Sequence, residues 1–253
     1  MSIKILQGNC LETLSSLEEK SVNTCVTSPP YWGLRDYGTD DQLGQEETPE
    51  KFVESLVNVF REVRRVLRDD GTVWLNLGDS YLSNKQLGGI PWRVAFALQS
   101  DGWYLRQDII WSKPNPMPES VTDRCTKAHE YIFLLSKLPK YYYDYEAIKE
   151  DAKSEPKVRD KMGEGYQADY TKGKRFSEGE RVWGTETKNK RSVWSIPVAS
   201  YSEAHFATYP PELIKPCILA GCPEGGTVLD PFGGSGTTAQ VSNNLNRNAI
   251  LCE

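Results

Sequence analysis

The sequence has no apolar run approaching the ~18–20 residues that a membrane-spanning helix needs. Its opening, Met1-Ser2-Ile3-Lys4-Ile5-Leu6, passes straight into Gln7-Gly8-Asn9. The apolar core of a secretory signal is therefore absent, and a cytoplasmic protein without membrane contact is expected. Histidine is scarce: His129 and His205 are the only two, and the six cysteines (Cys10, Cys25, Cys125, Cys217, Cys222 and Cys252) form no C-x-x-C pair. Neither a metal centre nor a disulfide framework is expected from that set. Bulk positive charge is lacking too. A net charge of −5 argues against a protein that coats nucleic acid by electrostatics alone, although a local basic surface could still grip phosphates.

What is present is 253 residues, enough for one large or two small domains with a substantial core. Apolar periodicity predicts strands over 3–6, 22–30, 72–77, 105–111, 131–135, 227–229 and 249–252. Helices are predicted over 11–17, 49–67, 90–99, 211–220 and 237–245. The helix from Pro49 carries Phe52, Leu56, Val59, Phe60, Val63 and Leu67 at helical spacing, and Asp69-Asp70-Gly71 reads as its stop. Strands alternating with helices imply an α/β fold with a mostly parallel sheet covered on both faces.

Periodicity disappears between Ala152 and Lys190. From Ala152 to Arg191 eleven Lys/Arg stand against seven Asp/Glu, a local surplus in an acidic chain. The chain thus divides into 1–150, an insertion over 151–191, and 192–253. The insertion reads either as a solvated loop or as a basic segment ordered on nucleic acid.

Two stretches carry chemistry. Val228-Leu229-Asp230-Pro231-Phe232-Gly233-Gly234-Ser235-Gly236-Thr237-Thr238 is an apolar strand entering a Gly-rich turn that opens a helix. Such a turn lets backbone N–H groups approach a ligand at the carboxyl end of a parallel strand. No Lys follows Gly236, so it is not a Walker phosphate loop. Glu253 ends the next predicted strand, where a carboxylate can accept hydrogen bonds from ribose hydroxyls. The second stretch, Thr27-Ser28-Pro29-Pro30-Tyr31-Trp32, also follows an apolar strand. Two prolines supply carbonyl acceptors without N–H donors, and the aromatic pair offers a stacking face, which suits a flat, amine-bearing base. On these residues alone it is equally a strand terminator with a packed tyrosine.

Together, in this order, the two stretches resemble the amino-group DNA methyltransferases of the beta arrangement, the N4-cytosine/N6-adenine family in which the catalytic half precedes the cofactor motif. The resemblance covers most of the chain, including Gln7-Gly8-Asn9-Cys10-Leu11, Gly71 to Ser80, Trp111 to Pro118, His129-Glu130-Tyr131 and His205 to Pro210. It implies a circularly permuted class I methyltransferase fold, Rossmann-like, with a mixed, mostly parallel seven-stranded sheet. It further implies S-adenosylmethionine as methyl donor, S-adenosylhomocysteine as product and no metal.

By the same resemblance, Asp230, Pro231, Phe232, Gly233, Gly234, Ser235, Gly236, Thr237 and Thr238 surround the methionine end of the cofactor. Glu253 meets the ribose, Asn9 and Cys10 lie by the adenine, and Phe206 and Thr208 help close the site. Relatives often carry Asp where Asn9 stands, and continue past the acidic residue with a short stretch and a helix, whereas this sequence ends at Glu253.

The implied partner is double-stranded DNA with the target nucleotide flipped out. An exocyclic amine is a poor nucleophile because its lone pair is delocalised into the ring. Ser28 and Pro29 are expected to accept its hydrogens and favour the pyramidal nitrogen, with Pro30 and Tyr31 completing the catalytic loop and Tyr31 stacking on the base. Lys113, Lys172, Lys174, Arg175 and Arg191 are the expected phosphate contacts. His129 reads as structural, whereas His205, by its neighbours, reads equally as structural or as part of the site. The resemblance also implies cytosine N4 as the target, since Ser heads the Pro-Pro-aromatic motif more often among the cytosine enzymes, with adenine N6 as the alternative. An RNA or protein methyltransferase, or an inactive DNA-binding relative, would carry the same two motifs.

Overall fold

The computed structural model describes residues 1–34, 36, 38, 42–152, 186–198 and 209–253, and the backbone of 157–159 and 181–183. In chain order the elements are β1 (Ile3–Leu6), α1 (Cys10–Ser15), β2 (Val22–Thr27), α2 (Pro49–Val66), β3 (Leu67–Leu77), α3 (Ile90–Ser100), β4 (Tyr104–Ser112), β5 (His129–Ser136), β6 (Glu150–Asp151), β7 (Lys157–Arg159), β8 (Arg181–Trp183), β9 (Thr187–Lys188), β10 (Val193–Ser195), α4 (Pro211–Gly221), β11 (Thr227–Asp230), α5 (Thr237–Asn244) and β12 (Asn248–Cys252).

The main sheet runs β1-β12-β11-β2-β3-β5-β4-β10. Neighbouring strands are parallel except around β5, which is antiparallel to both β3 and β4. The seven expected strands are all there, and the sheet has eight rather than seven. The extra strand is β10, which adds parallel to β4 through Val193 to Ser195. Three residues are too few for alternation to announce a strand, and only pairing with β4 makes this one visible.

Both faces are covered, as a parallel sheet requires. Cys25, Val73, Leu75, Phe133 and Leu229 pack toward α1, α2 and α3. Their alternating neighbours Val26, Trp74, Ile132, Leu134 and Val228 pack toward α4 and α5 on the other face. The amphipathic α2 starts as its sequence dictates: Thr48 Oγ1 accepts the Lys51 N–H at 3.3 Å, and Pro49 occupies the first turn. Its end departs from expectation. Leu67 is already extended and fully buried, so the strand begins there, before Asp69-Asp70-Gly71. The β2–β3 pairing jumps from Val22/Leu67 to Thr24/Thr72, so the acidic pair lies in an irregular, exposed stretch of β3. Burial of Leu67, not the turn signal, sets this boundary.

Late in the chain yet central in the sheet, β11 lies between β12 and β2. The permuted order therefore leaves the sheet intact and brings the carboxyl ends of β11, β12, β1, β2 and β3 to one edge. At the stem of the insertion, β6 pairs with β9 and β7 with β8, both antiparallel. Among the described residues no helix is long and apolar enough to cross a membrane.

Candidate active site

Asp230 closes β11 and is 1% exposed. Its Oδ1 accepts from Thr27 Oγ1 at 2.6 Å and from the Phe232 N–H at 3.1 Å. Its Oδ2 accepts from Tyr209 Oη at 2.9 Å and Thr238 Oγ1 at 2.5 Å. Four donors use up a carboxylate's lone pairs. Asp230 thus ties β2, the turn, α5 and the segment before α4 together and holds that turn in shape.

Burial raises the Asp230 pKa from 3.8 to about 6, against the opposing hydrogen bonds from Thr238, Thr27, Phe232 and Tyr209. A folded-state value above the unfolded one means that folding favours the protonated acid. Its contribution to stability is fully present below about pH 4 and is lost as the pH rises through about 6. Asp230→Asn cannot ionise, and any penalty from its amide facing hydroxyl donors is independent of pH. In urea unfolding, the stability of this variant relative to wild type should therefore rise by about 2 kcal/mol between pH 4 and 7.5. Parallel pH curves for the two proteins would show that Asp230 does not carry this dependence.

The Gly-rich turn divides into scaffold and surface. Pro231, Gly233, Thr237 and Thr238 are buried, Phe232 and Gly236 are half-buried, and Gly234 and Ser235 are exposed. Gly233 is forced by close approach, since a Cβ there would lie 2.9 Å from Leu251 Cβ. Gly234 adopts φ +49° and donates its N–H to Glu253 Oε2 at 2.6 Å. One carboxylate oxygen of Glu253 is engaged by the turn, and the residue is exposed. Its backbone is clamped on both sides: the Glu253 N–H donates to Leu6 O at 3.0 Å, and the Gly8 N–H to Glu253 O at 2.9 Å.

Those bonds carry Asn9 and Cys10 to the same edge. Asn9 Oδ1 caps α1 by accepting the Leu11 N–H at 2.9 Å, a task Asn performs as well as Asp. Half-buried Cys10 is pushed up to about 11 by burial and by Cys252, so it is an inert thiol here.

On the other side of Thr27, the Ser28-Pro29-Pro30-Tyr31 loop meets residues that the motifs did not announce. Tyr31 Oη donates to Glu130 Oε2 at 2.7 Å, and Asn76 Nδ2 donates to Tyr31 Oη at 2.6 Å and to Glu130 Oε2 at 2.8 Å. Ser28 Oγ lies 3.4 Å from both Tyr31 Oη and Asn76 Nδ2. Burial first, then the Glu130 charge, holds the Tyr31 phenol well above its ordinary range, so it remains a neutral hydroxyl. Its ring lies over Gly78, where a Cβ would come within 2.5 Å. Trp32 is fixed separately, its indole N–H donating to Glu46 O at 2.9 Å.

Two expected phosphate contacts are engaged otherwise. Lys113, only 19% exposed, pairs with Glu130 Oε1 and lies 4.4 Å from the Trp111 ring centroid. Its ammonium belongs to the Tyr31 network and is not free for a phosphate. Arg191 pairs with Glu150 at 3.3 Å yet stays 66% exposed, a weak surface pair. His129 packs edge-on to Tyr131. Phe206, Thr208, His205, Lys172, Lys174 and Arg175 lie outside the described residues. Glu130, Asn76 and Tyr209 were the side chains missed as site residues. The only signal for them was their position within stretches shared with the family.

A mostly parallel sheet with a Gly-rich turn and an acidic strand end at its carboxyl edge, beside a Pro-Pro-aromatic loop, defines a permuted methyltransferase of class I fold. Residues 22–253 match the N6/N4 methyltransferase family of DNA methylases. The chain belongs to that family. It is 45% identical to Type II methyltransferase M.SmaI of Serratia marcescens, over 100% of this chain and 86% of that protein. It is 43% identical to Type II methyltransferase M.Cfr9I of Citrobacter freundii, over 98% and 82% of the two chains. In fold it is similar to the cytosine-N4-specific PvuII DNA methyltransferase, with a TM-score of 0.75 at 19% identity over 100% and 82% of the chains. A protein from Thermus thermophilus, solved in complex with S-adenosyl-L-methionine, superposes with a TM-score of 0.63 at 23% identity, covering 100% and 89%.

Proposed function

We propose that this chain is a site-specific DNA methyltransferase that transfers a methyl group from S-adenosylmethionine to N4 of a flipped-out cytosine. The observation that carries this reading is the buried 2.6 Å hydrogen bond from Thr27 to Asp230. It joins the residue before Ser28 to the residue that opens the Gly-rich turn, so an amine held by one motif and a donor held by the other share one crevice.

The donor set fits the cofactor: Gly234 and Ser235 are exposed at the opening of α5, Glu253 has a carboxylate oxygen left for ribose hydroxyls, and Asn9 and Cys10 flank it. Bound there, the cofactor supplies an electrophilic methyl on a sulfonium. The protein's part is alignment, a proximity effect worth up to ~7–11 kcal/mol. Ser28 Oγ and the Pro29 carbonyl accept the amine's two hydrogens and favour the pyramidal nitrogen, Tyr31 bounds the base, and the methylated nitrogen then gives up one proton to water. The basic surplus of 151–191, with exposed Arg191 at its stem, is assigned to DNA phosphates and to offsetting the cost of flipping.

Ser28 at the head of the motif favours cytosine, by the family pattern. Duplex DNA incubated with the protein and S-adenosylmethionine, then digested to nucleosides, should yield N4-methyldeoxycytidine by mass spectrometry. N6-methyldeoxyadenosine as the sole product would overturn the cytosine assignment and leave the amine chemistry standing. Label incorporated into RNA or protein but not DNA would overturn the substrate class.

A further inference from the structure

We propose that Glu130 is a positioning residue for the methyl transfer: its carboxylate fixes the direction of the hydrogen bonds that run from the target amine through Ser28 and Tyr31. This rests on the amine-methylation reading above. The carboxylate of a Lys113–Glu130 ion pair offers acceptor sites only. Tyr31 Oη, 2.7 Å from Glu130 Oε2, must therefore spend its single proton there. Its oxygen lone pairs then face inward, taking the Asn76 N–H at 2.6 Å and standing 3.4 Å from Ser28 Oγ.

With its proton directed to Tyr31, Ser28 is left with lone pairs alone, which is the state that an amine N–H requires. Asn76 is oriented by the same carboxylate. It is 4% exposed, and turning its amide over would set Oδ1 against Glu130 Oε2, where Nδ2 now donates at 2.8 Å. Glu130, with 14% of its side chain exposed, is sheltered from bulk water that could substitute for it. The chain of bonds crosses from β5 through the loop after β2, so a residue far from the Pro-Pro motif sets the polarity of the motif's hydroxyl.

Glu130→Gln tests this, because an amide both donates and accepts. With its NH2 toward Tyr31 the phenol becomes an acceptor, the chain reverses, and Ser28 can present its proton to the amine. The expected result is a kcat lower by roughly tenfold to a hundredfold. KM for DNA and calorimetric affinity for S-adenosylmethionine should be unchanged. Glu130→Asp, still acceptor-only, should recover much of the loss. Tyr31→Phe should be slowed comparably, and adding Glu130→Gln to it should cost nothing more, since the two residues act as one chain.

Wild-type turnover in Glu130→Gln overturns the proposal, as does a Glu130→Asp variant no faster than the amide, or losses that multiply in the double variant. If Glu130→Gln fails to fold by circular dichroism, the Tyr31→Phe and Glu130→Asp arms decide by the same criteria. A wild-type chain that methylates no DNA overturns the underlying reading instead.

Discussion

Replacing Gly234 with valine should abolish binding of S-adenosylmethionine, read by calorimetry as an affinity loss of about a hundredfold or more. The backbone at Gly234 sits at φ +49°, a left-handed conformation that costs a residue with Cβ roughly 1–2 kcal/mol and a β-branched one more. Relief of that strain requires the turn to rotate, which breaks the 2.6 Å bond from the Gly234 N–H to Glu253 Oε2. The exposed turn and the acidic strand end are coupled through this bond, so one substitution disturbs the sites assigned to the methionine and ribose ends together. The fold should survive, because Gly234 is exposed and a Cβ there would meet only Phe232 O at 4.0 Å. A folded Gly234→Val protein with wild-type affinity would place the cofactor elsewhere.

Tyr31→Ala should show the opposite split, losing methyl transfer by roughly 10²–10³-fold while binding the cofactor normally. Truncation removes the ring over Gly78 and the hydroxyl that links Ser28 to Glu130. It leaves the Thr27–Asp230 bond and the Gly-rich turn untouched, so the cofactor half keeps its geometry. Single-turnover methylation with saturating cofactor, beside calorimetry on the same preparation, separates the two effects. A variant that methylates at the wild-type rate would remove Tyr31 from the catalytic loop. One that loses cofactor affinity would show that the two halves of the crevice are not independent.

Much of this protein was legible before any coordinates. Periodicity located the strands and helices of the sheet because buried strands and amphipathic helices leave different apolar spacings, as Phe52, Leu56, Val59 and Val63 do along α2. Turn chemistry located the Gly-rich segment, since glycines grouped between a strand and a helix mark unusual backbone. The order of the motifs identified the permuted arrangement. The boundaries that failed are those decided by tertiary burial, such as the early end of α2 at Leu67 and the addition of β10 to the sheet edge.

The sequence by itself determined the class of fold, the two chemical motifs and their order along the chain, because each is written in neighbouring residues. Only the tertiary structure decided what each side chain is bonded to. Asp230 reads as a ligand residue, yet its four donors come from β2, the turn, Tyr209 and α5. Lys113 reads as a phosphate contact, yet it answers the charge of Glu130. Tyr31 reads as a free stacking face, yet its hydroxyl is held by a carboxylate 99 positions away. Such pairings depend on strand order and register, which place distant residues at one sheet edge. Local pattern carries no record of which buried donor will find which acceptor, because the low-dielectric interior selects partners after the strands have assembled.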